Sequence, residues 1–300
     1  MRVGLVGLGR MGSAMAARLA SFDIHVTAWD QSAQACAAAA ARGVAVVANP
    51  CAVAQASDLI ITTITEDEGV RGLFSMRGGF GEADLDGKLF IEMSTLRPQT
   101  VRDLAPMLAA RGAAIMDCPV LGTVPAAQGG QLFGLVGASD ADLARARPLL
   151  EKLTRACAPM GAIGAGHAMK LAFNLAMANF INGVGEGLAM GAAQGLDLDR
   201  MMGVFMNSPL TNLVLQNKVD NFLGKDAPLT LDIRTLRKDM QSALAAGASV
   251  GAPMAGTAAA LTVLSAAVAA GWGDRDIGDI APFIRNELTQ RFQGARGISA

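Results

Sequence analysis

Apolar, β-like runs recur through the first half of the chain, at residues 2–6, 24–29, 44–46, 59–63, 89–92, 114–117 and 132–136, and predict strands. Stretches with helical spacing lie between them, at 11–22, 32–41, 49–56, 66–73, 97–111 and 141–153. This alternation predicts an α/β unit with a doubly wound, mainly parallel sheet, in which ligand binds beyond the carboxyl ends of the strands. Residues 160–164 read as a last short strand and turn. After Gly166 strand signals nearly vanish. Residues 167–194 contain no proline and predict an unusually long helix, followed by helices at 197–207, 212–222, 231–248, 253–270 and 280–291. Breaks fall at Gly195, Pro209, Pro228 and Gly271, and 293–300 reads as a loosely ordered end.

The first predicted strand runs directly into Gly7-Leu8-Gly9-Arg10-Met11-Gly12, and a helical stretch follows. Strand, glycine turn and helix in this order suit a dinucleotide pyrophosphate. Gly7 permits the tight turn, Gly9 lets the backbone approach the phosphates, and Gly12 lets the helix pack closely on the strand. The free N–H groups at the helix start then face the anion. The second predicted strand ends on Asp30, at the distance where an acidic side chain meets the adenosine ribose hydroxyls. Asp30 repels a 2′-phosphate and Gln31 follows it, so NAD is expected over NADP. The expected organisation is a Rossmann-type dinucleotide-binding domain over 1–163 and an all-helical substrate and oligomerisation domain over 164–300, joined by the long helix.

Composition narrows the picture. Net charge is −1, so no basic field points to nucleic acid. Hydrophobic residues make up 52%, much of it alanine, which suits closely packed helices. No apolar run is long enough to span a bilayer, and the glycines and Arg10 explain the start better than a signal peptide does. The four cysteines, Cys36, Cys51, Cys118 and Cys157, lack CxxC spacing and read as reduced thiols of a cytoplasmic protein. His25 and His167 are the two histidines, too few for a histidine metal site, and no metal is expected.

Three segments could carry chemistry. Glu92-Met93-Ser94-Thr95-Leu96-Arg97-Pro98 ends a predicted strand and opens a helix, so Ser94 or Thr95 is expected as its N-cap, leaving the other to touch the nicotinamide ribose. Residues 117–130 form a glycine- and proline-rich connection that could aim backbone N–H groups at a carboxylate, although a ligand-free, hairpin-like connection is the simpler reading. Lys170 and Asn174 stand at i and i+4, on one helix face with apolar neighbours. Such a lysine either snorkels or is held in a cleft, where a partly desolvated ammonium can donate a proton to a carbonyl or stabilise an alkoxide. Lys238-Asp239 by itself reads as an ordinary surface pair.

Together Gly7-Leu8-Gly9-Arg10-Met11-Gly12, Ser94-Thr95-Leu96-Arg97-Pro98, Asp117-Cys118-Pro119-Val120, Gly164-x-Gly166-x-x-x-Lys170-x-x-x-Asn174 and Lys238-Asp239-Met240 resemble the β-hydroxyacid dehydrogenase family over nearly the whole chain. That family includes 3-hydroxyisobutyrate dehydrogenase, tartronate semialdehyde reductase and the succinic semialdehyde/glyoxylate reductases. The resemblance implies Lys170 as catalytic acid/base and Asn174 as its partner at the substrate. It places Ile64, Thr65 and Thr95 by the cofactor, Lys238 on the cofactor's closing side, and the loop of Leu121, Gly122 and Thr123 at the substrate carboxylate. Two departures make the site more apolar. Leu121-Gly122-Thr123 stands where Ser-Gly-Gly is usual, and Leu175 stands where a second asparagine often follows; Leu231 also replaces a common aromatic. The expected reaction is hydride transfer between NAD and a small 3-hydroxy acid or its semialdehyde, in a homodimer or homotetramer. An imine reductase, which usually lacks the lysine, and a non-catalytic nucleotide-binding protein are the alternatives.

Overall fold

The computed structural model describes residues 1–288, so the expected loose end and the last residues of the helix expected over 280–291 lie outside the described part. The chain forms two compact units, one spanning Met1–Leu171 and a second beginning at Ala172.

The first unit alternates strand and helix. In chain order its elements are β1 (Val3–Val6), α1 (Arg10–Ala20), β2 (Val26–Trp29), α2 (Ala33–Ala40), β3 (Ala45–Val46), α3 (Pro50–Ala56), β4 (Leu59–Thr62), α4 (Asp67–Ser75), β5 (Leu89–Glu92), α5 (Pro98–Ala109), β6 (Ala114–Asp117), β7 (Val120–Leu121), α6 (Val124–Gln128), β8 (Leu132–Gly137), α7 (Asp140–Leu153) and β9 (Thr154–Gly161). The sheet order is β3-β2-β1-β4-β5-β6-β8-β7, with β9 paired to β8. Pairing is parallel from β3 to β6 and antiparallel where β8 meets β6 and β7. Strand order reverses between β1 and β4, which opens the crevice where such sheets bind ligand.

Both faces of the central strands are covered, and this is why they read as continuous apolar runs. Leu5, Leu59, Ile61 and Ile91 enter a core with Met15, Leu19, Leu143 and Leu149. Val6, Ile60 and Phe90 point the other way, into a core with Val53, Leu73, Phe80 and Leu104. There Phe80 and Phe90 meet edge-on with ring centroids 5.0 Å apart.

In the second unit helices take over. α8 (Ala165–Ala193) crosses from the first unit, followed by α9 (Leu198–Met206), α10 (Leu213–Leu223), α11 (Ile233–Ser249), α12 (Ala255–Ala269) and α13 (Ile280–Phe283). Asp197, Asn212 and Asp232 cap α9, α10 and α11 through their side chains. Ile181, Leu188, Phe222, Leu236, Met240, Leu264 and Phe283 form this unit's core. Lys218 Nζ, 2.6 Å from Asp276 Oδ2, forms a buried ion pair within it.

Two stretches depart from expectation. The connection over 117–130 contains β7, which pairs antiparallel with β8, and the short helix α6. The last strand is β9, an eight-residue element rather than a short one at 160–164. β9 lies at an edge and is largely exposed, with Arg155 and Pro159 in its run, so no apolar signal marks it.

A Cβ at Gly12 would lie 1.8 Å from the carbonyl oxygen of Gly7, whereas one at Gly72, inside α4, meets nothing within 4 Å. Gly12→Ala is expected to destabilise the protein by about 3 kcal/mol or more. Gly72→Ala should be neutral or stabilising by up to about 1 kcal/mol. Urea denaturation of the two variants checks the contrast.

Candidate functional site

The glycine loop sits at the carboxyl end of β1. Gly7 has φ of 102°, and a side chain there would strike the Thr63 carbonyl. Gly9 is different, because a Cβ built on it meets no atom within 4 Å. It is also the N-cap of α1 and supplies no side-chain cap. An exposed backbone cradle at an uncapped helix start fits a pyrophosphate. Within the loop Leu8 is buried, Arg10 is exposed and Met11 is half-buried. Asp30 is tied to this loop, its Oδ2 accepting from Leu8 N at 2.6 Å and its Oδ1 from Ser32 N at 2.7 Å. A carboxylate keeps further lone pairs, so both oxygens can still accept ribose hydroxyls.

Beyond β4 and β5 a hydrogen-bonded shelf forms. Ile64 N donates to Ser94 Oγ at 2.7 Å, which joins the two strand ends. Thr65 is exposed and Thr95 half-buried. Neither Ser94 nor Thr95 caps the following helix. Its N-cap is Arg97, and the buried Asp67 takes the capping role by accepting from Arg97 N at 3.0 Å and from the Thr100 hydroxyl. Local sequence hid this because Asp67 lies on α4, thirty residues away.

Beneath the shelf Glu92 is fully buried. It accepts from Thr62 Oγ1 at 2.5 Å and from Ser94 N at 2.8 Å. Burial raises it from 4.5 to about 7, against the pull of these donors. Its neighbour across the sheet, Asp117, is raised to about 6 by burial. Asp117 Oδ1 accepts from Gly164 N at 2.6 Å and Oδ2 from His167 N at 2.8 Å. Both donors flank the start of α8. A Cβ at Gly166 would lie 2.2 Å from the Leu135 carbonyl oxygen and 2.8 Å from Asp117 Oδ2, so glycine is required for this approach.

Lys170 and Asn174 follow on α8. The helix buries Gly166, His167, Leu171, Asn174 and Ala178, and Lys170 is half-buried beside that stripe. Asn174 Nδ2 donates to Asp239 Oδ2 at 2.7 Å, and Lys238 Nζ lies 2.7 Å from Asp239 Oδ1. Asp239 is therefore a buried positioning group rather than half of a surface pair. A carboxylate only accepts, so it fixes the amide with its nitrogen toward α11. Asn174 Oδ1 is left buried without a hydrogen-bond partner among the described residues. Such an acceptor fits a ligand hydroxyl or an ammonium. In the connection between β7 and α6, Leu121 is half-buried while Gly122 and Thr123 are exposed.

A family profile described as the NAD binding domain of 6-phosphogluconate dehydrogenase matches residues 2–162. A second, described as NAD-binding of NADP-dependent 3-hydroxyisobutyrate dehydrogenase, matches 164–284. Glyoxylate/succinic semialdehyde reductase 1 of Arabidopsis thaliana is 27% identical over 95% of this chain and 99% of its own. The 2-(hydroxymethyl)glutarate dehydrogenase of Eubacterium barkeri is 29% identical over 92% of each chain. Among solved structures, a 3-hydroxyisobutyrate dehydrogenase of Mycobacterium tuberculosis with L-serine superposes with a TM-score of 0.85 at 25% identity, covering 95% of this chain and 99% of that one.

Two predictions follow from this geometry. Gly9→Val should leave the melting temperature nearly unchanged while weakening dinucleotide binding at least about tenfold, read by fluorescence titration. Glu92 holds its proton more tightly folded than unfolded, so its contribution is complete below pH 4.5 and is lost as pH rises through about 7. That loss amounts to about 3 kcal/mol. Glu92→Gln keeps an acceptor for Ser94 N and a donor for Thr62, mimicking the protonated acid. Urea titrations between pH 5 and 8 should show a flatter stability profile for this variant, and an unchanged slope would refute the assignment.

Proposed function

From the premise that the chain belongs to the β-hydroxyacid dehydrogenase family, whose members are NAD(P)-dependent oxidoreductases, we propose that it transfers a hydride between NAD and a small 3-hydroxy acid or its semialdehyde. The observation that carries this reading is the Lys170–Asn174 face of α8, with the Asn174 amide pinned by Asp239.

Gly7, Gly9 and Gly12 would cradle the pyrophosphate, with Leu8, Arg10 and Met11 completing the turn and helix start. Asp30 would accept the adenosine ribose hydroxyls, and its charge disfavours a 2′-phosphate. Ile64, Thr65 and Thr95 would border the nicotinamide half, and Lys238 would close on the cofactor. When bound, the dinucleotide supplies or accepts the hydride. Lys170 protonates the carbonyl oxygen of the substrate in reduction and takes the proton back from the hydroxyl in oxidation. Asn174 Oδ1 accepts from the lysine or the substrate and so holds the reacting oxygen in line. Leu121, Gly122 and Thr123 would meet the substrate's other end, where leucine favours a less polar group than a serine would. We assign 1–163 to dinucleotide binding and 164–300 to substrate binding and to assembly as a homodimer or homotetramer in the cytoplasm. The apolar Leu121 and Leu175 favour, as a second reading, an imine reductase acting on a substrate without a carboxylate; Lys170 weighs against it.

Lys170→Ala is expected to lower kcat by about 10²–10⁴-fold while NAD affinity holds, measured by nicotinamide absorbance and by equilibrium titration. Near-normal turnover in that variant would remove Lys170 from the mechanism. A panel of 3-hydroxy acids with each dinucleotide tests the rest. Higher kcat/KM with NADP would overturn the reading of Asp30, and turnover on imines alone would favour the second reading.

A further inference from the structure

On β8, Gly134 pairs with Cys157 of β9 on one side and Val120 of β7 on the other. A Cβ built on Gly134 would lie 2.9 Å from Cys118 Sγ and 2.9 Å from Cys157 Sγ. A sulfur from the β6–β7 connection and one from β9 therefore converge over Gly134, which has no side chain to separate them. Cys118 is fully buried, and Cys157 is half-buried on the outer strand. Thr154 Oγ1 lies 3.3 Å from Cys157 Sγ and also 2.8 Å from the Leu150 carbonyl oxygen.

We propose that Cys157, with Cys118 as its proton-holding partner, is a peroxide-reactive thiol site on the outer edge of the sheet, separate from the residues assigned to dinucleotide and substrate. The surroundings divide the two thiols. Cys118 is held well above the ordinary thiol range by its hydrogen bond to Cys157 and by burial, with Asp117 adding to the effect, so it keeps its proton. Cys157 is lowered to about 6, first by the hydrogen bond from Cys118, then by Thr154, the charge of Arg147 on α7 and the Gly134 N–H, against the cost of burial. A thiolate at neutral pH on a half-buried residue is the reactive form of cysteine. Its sulfur attacks one oxygen of hydrogen peroxide. The S–O bond forms as the O–O bond breaks, the sulfur is oxidised to sulfenic acid, and the leaving hydroxide takes a proton from solvent to become water.

The test is exposure of the full chain to hydrogen peroxide from pH 5 to 9, trapping with dimedone, and peptide mass spectrometry. Cys36 and Cys51, also half-buried, are the internal controls. Cys157 is expected to be labelled about tenfold faster than either at pH 7. In Cys118→Ala its labelling midpoint should rise by about two pH units or more, a rate loss of about tenfold at neutral pH. Labelling of Cys157 no faster than of Cys36 and Cys51 overturns the proposal, and so does a Cys118→Ala profile identical to wild type. If that variant does not fold, Cys118→Ser replaces it. Its hydroxyl still donates, so Cys157 should stay within a few-fold of wild type, and a shift as large as that expected for alanine would also overturn the pairing.

Discussion

Asp117 closes β6 with a carboxylate that is cut off from water, and both of its oxygens are spent on backbone N–H groups at the entrance to α8. The contact requires a nearly bare backbone around it. Side chains at Gly137 or Gly166 would collide with the carboxylate itself, and one at Gly164 with Arg102 and the Pro98 carbonyl. A helix N-terminus offers partial positive charge as well as donors, so an anion is well placed there. This one interaction anchors the first turn of α8 to the end of β6. Lys170 and Asn174 share a face of that helix by their i, i+4 spacing. The glycines of the Gly164-x-Gly166 segment are thus steric requirements of the anchor.

Much of this was legible in the chain. Strands covered on both faces must be apolar throughout, and β1, β4 and β5 announced themselves for that reason. The glycine loop and Asp30 stood at the spacing the turn demands. What stayed hidden depended on contacts distant in sequence or on edge exposure. Nothing near Ser94 reveals that its hydroxyl serves Ile64 while Asp67 caps α5. Nothing near Lys238-Asp239 reveals that the carboxylate is buried against Asn174. β9 carries small and polar residues because one of its edges and much of its surface are exposed, and exposure erases the pattern that burial writes. The sulfur pair over Gly134 is of the same kind, since its members are thirty-nine positions apart.

The carboxyl ends of β5 and β6 carry two adjacent acids, Glu92 and Asp117, both pushed upward by burial. Among the described residues neither has a basic side chain as its hydrogen-bond partner; each is held by hydroxyl or backbone donors. The donors favour the charged form and burial the neutral one, and burial prevails at both acids.

The orphaned oxygen of Asn174 has a thermodynamic side. A buried carbonyl without a donor costs the folded chain about 1–3 kcal/mol, and a molecule that offers it a hydrogen removes that cost on arrival. Affinity for such a molecule and resistance to heat then rise together, by linkage. Ligands that leave the oxygen unsatisfied bind without this gain. Melting temperature thus becomes a reporter of hydrogen-bond chemistry at one atom, able to rank candidate substrates in a protein whose turnover has been abolished.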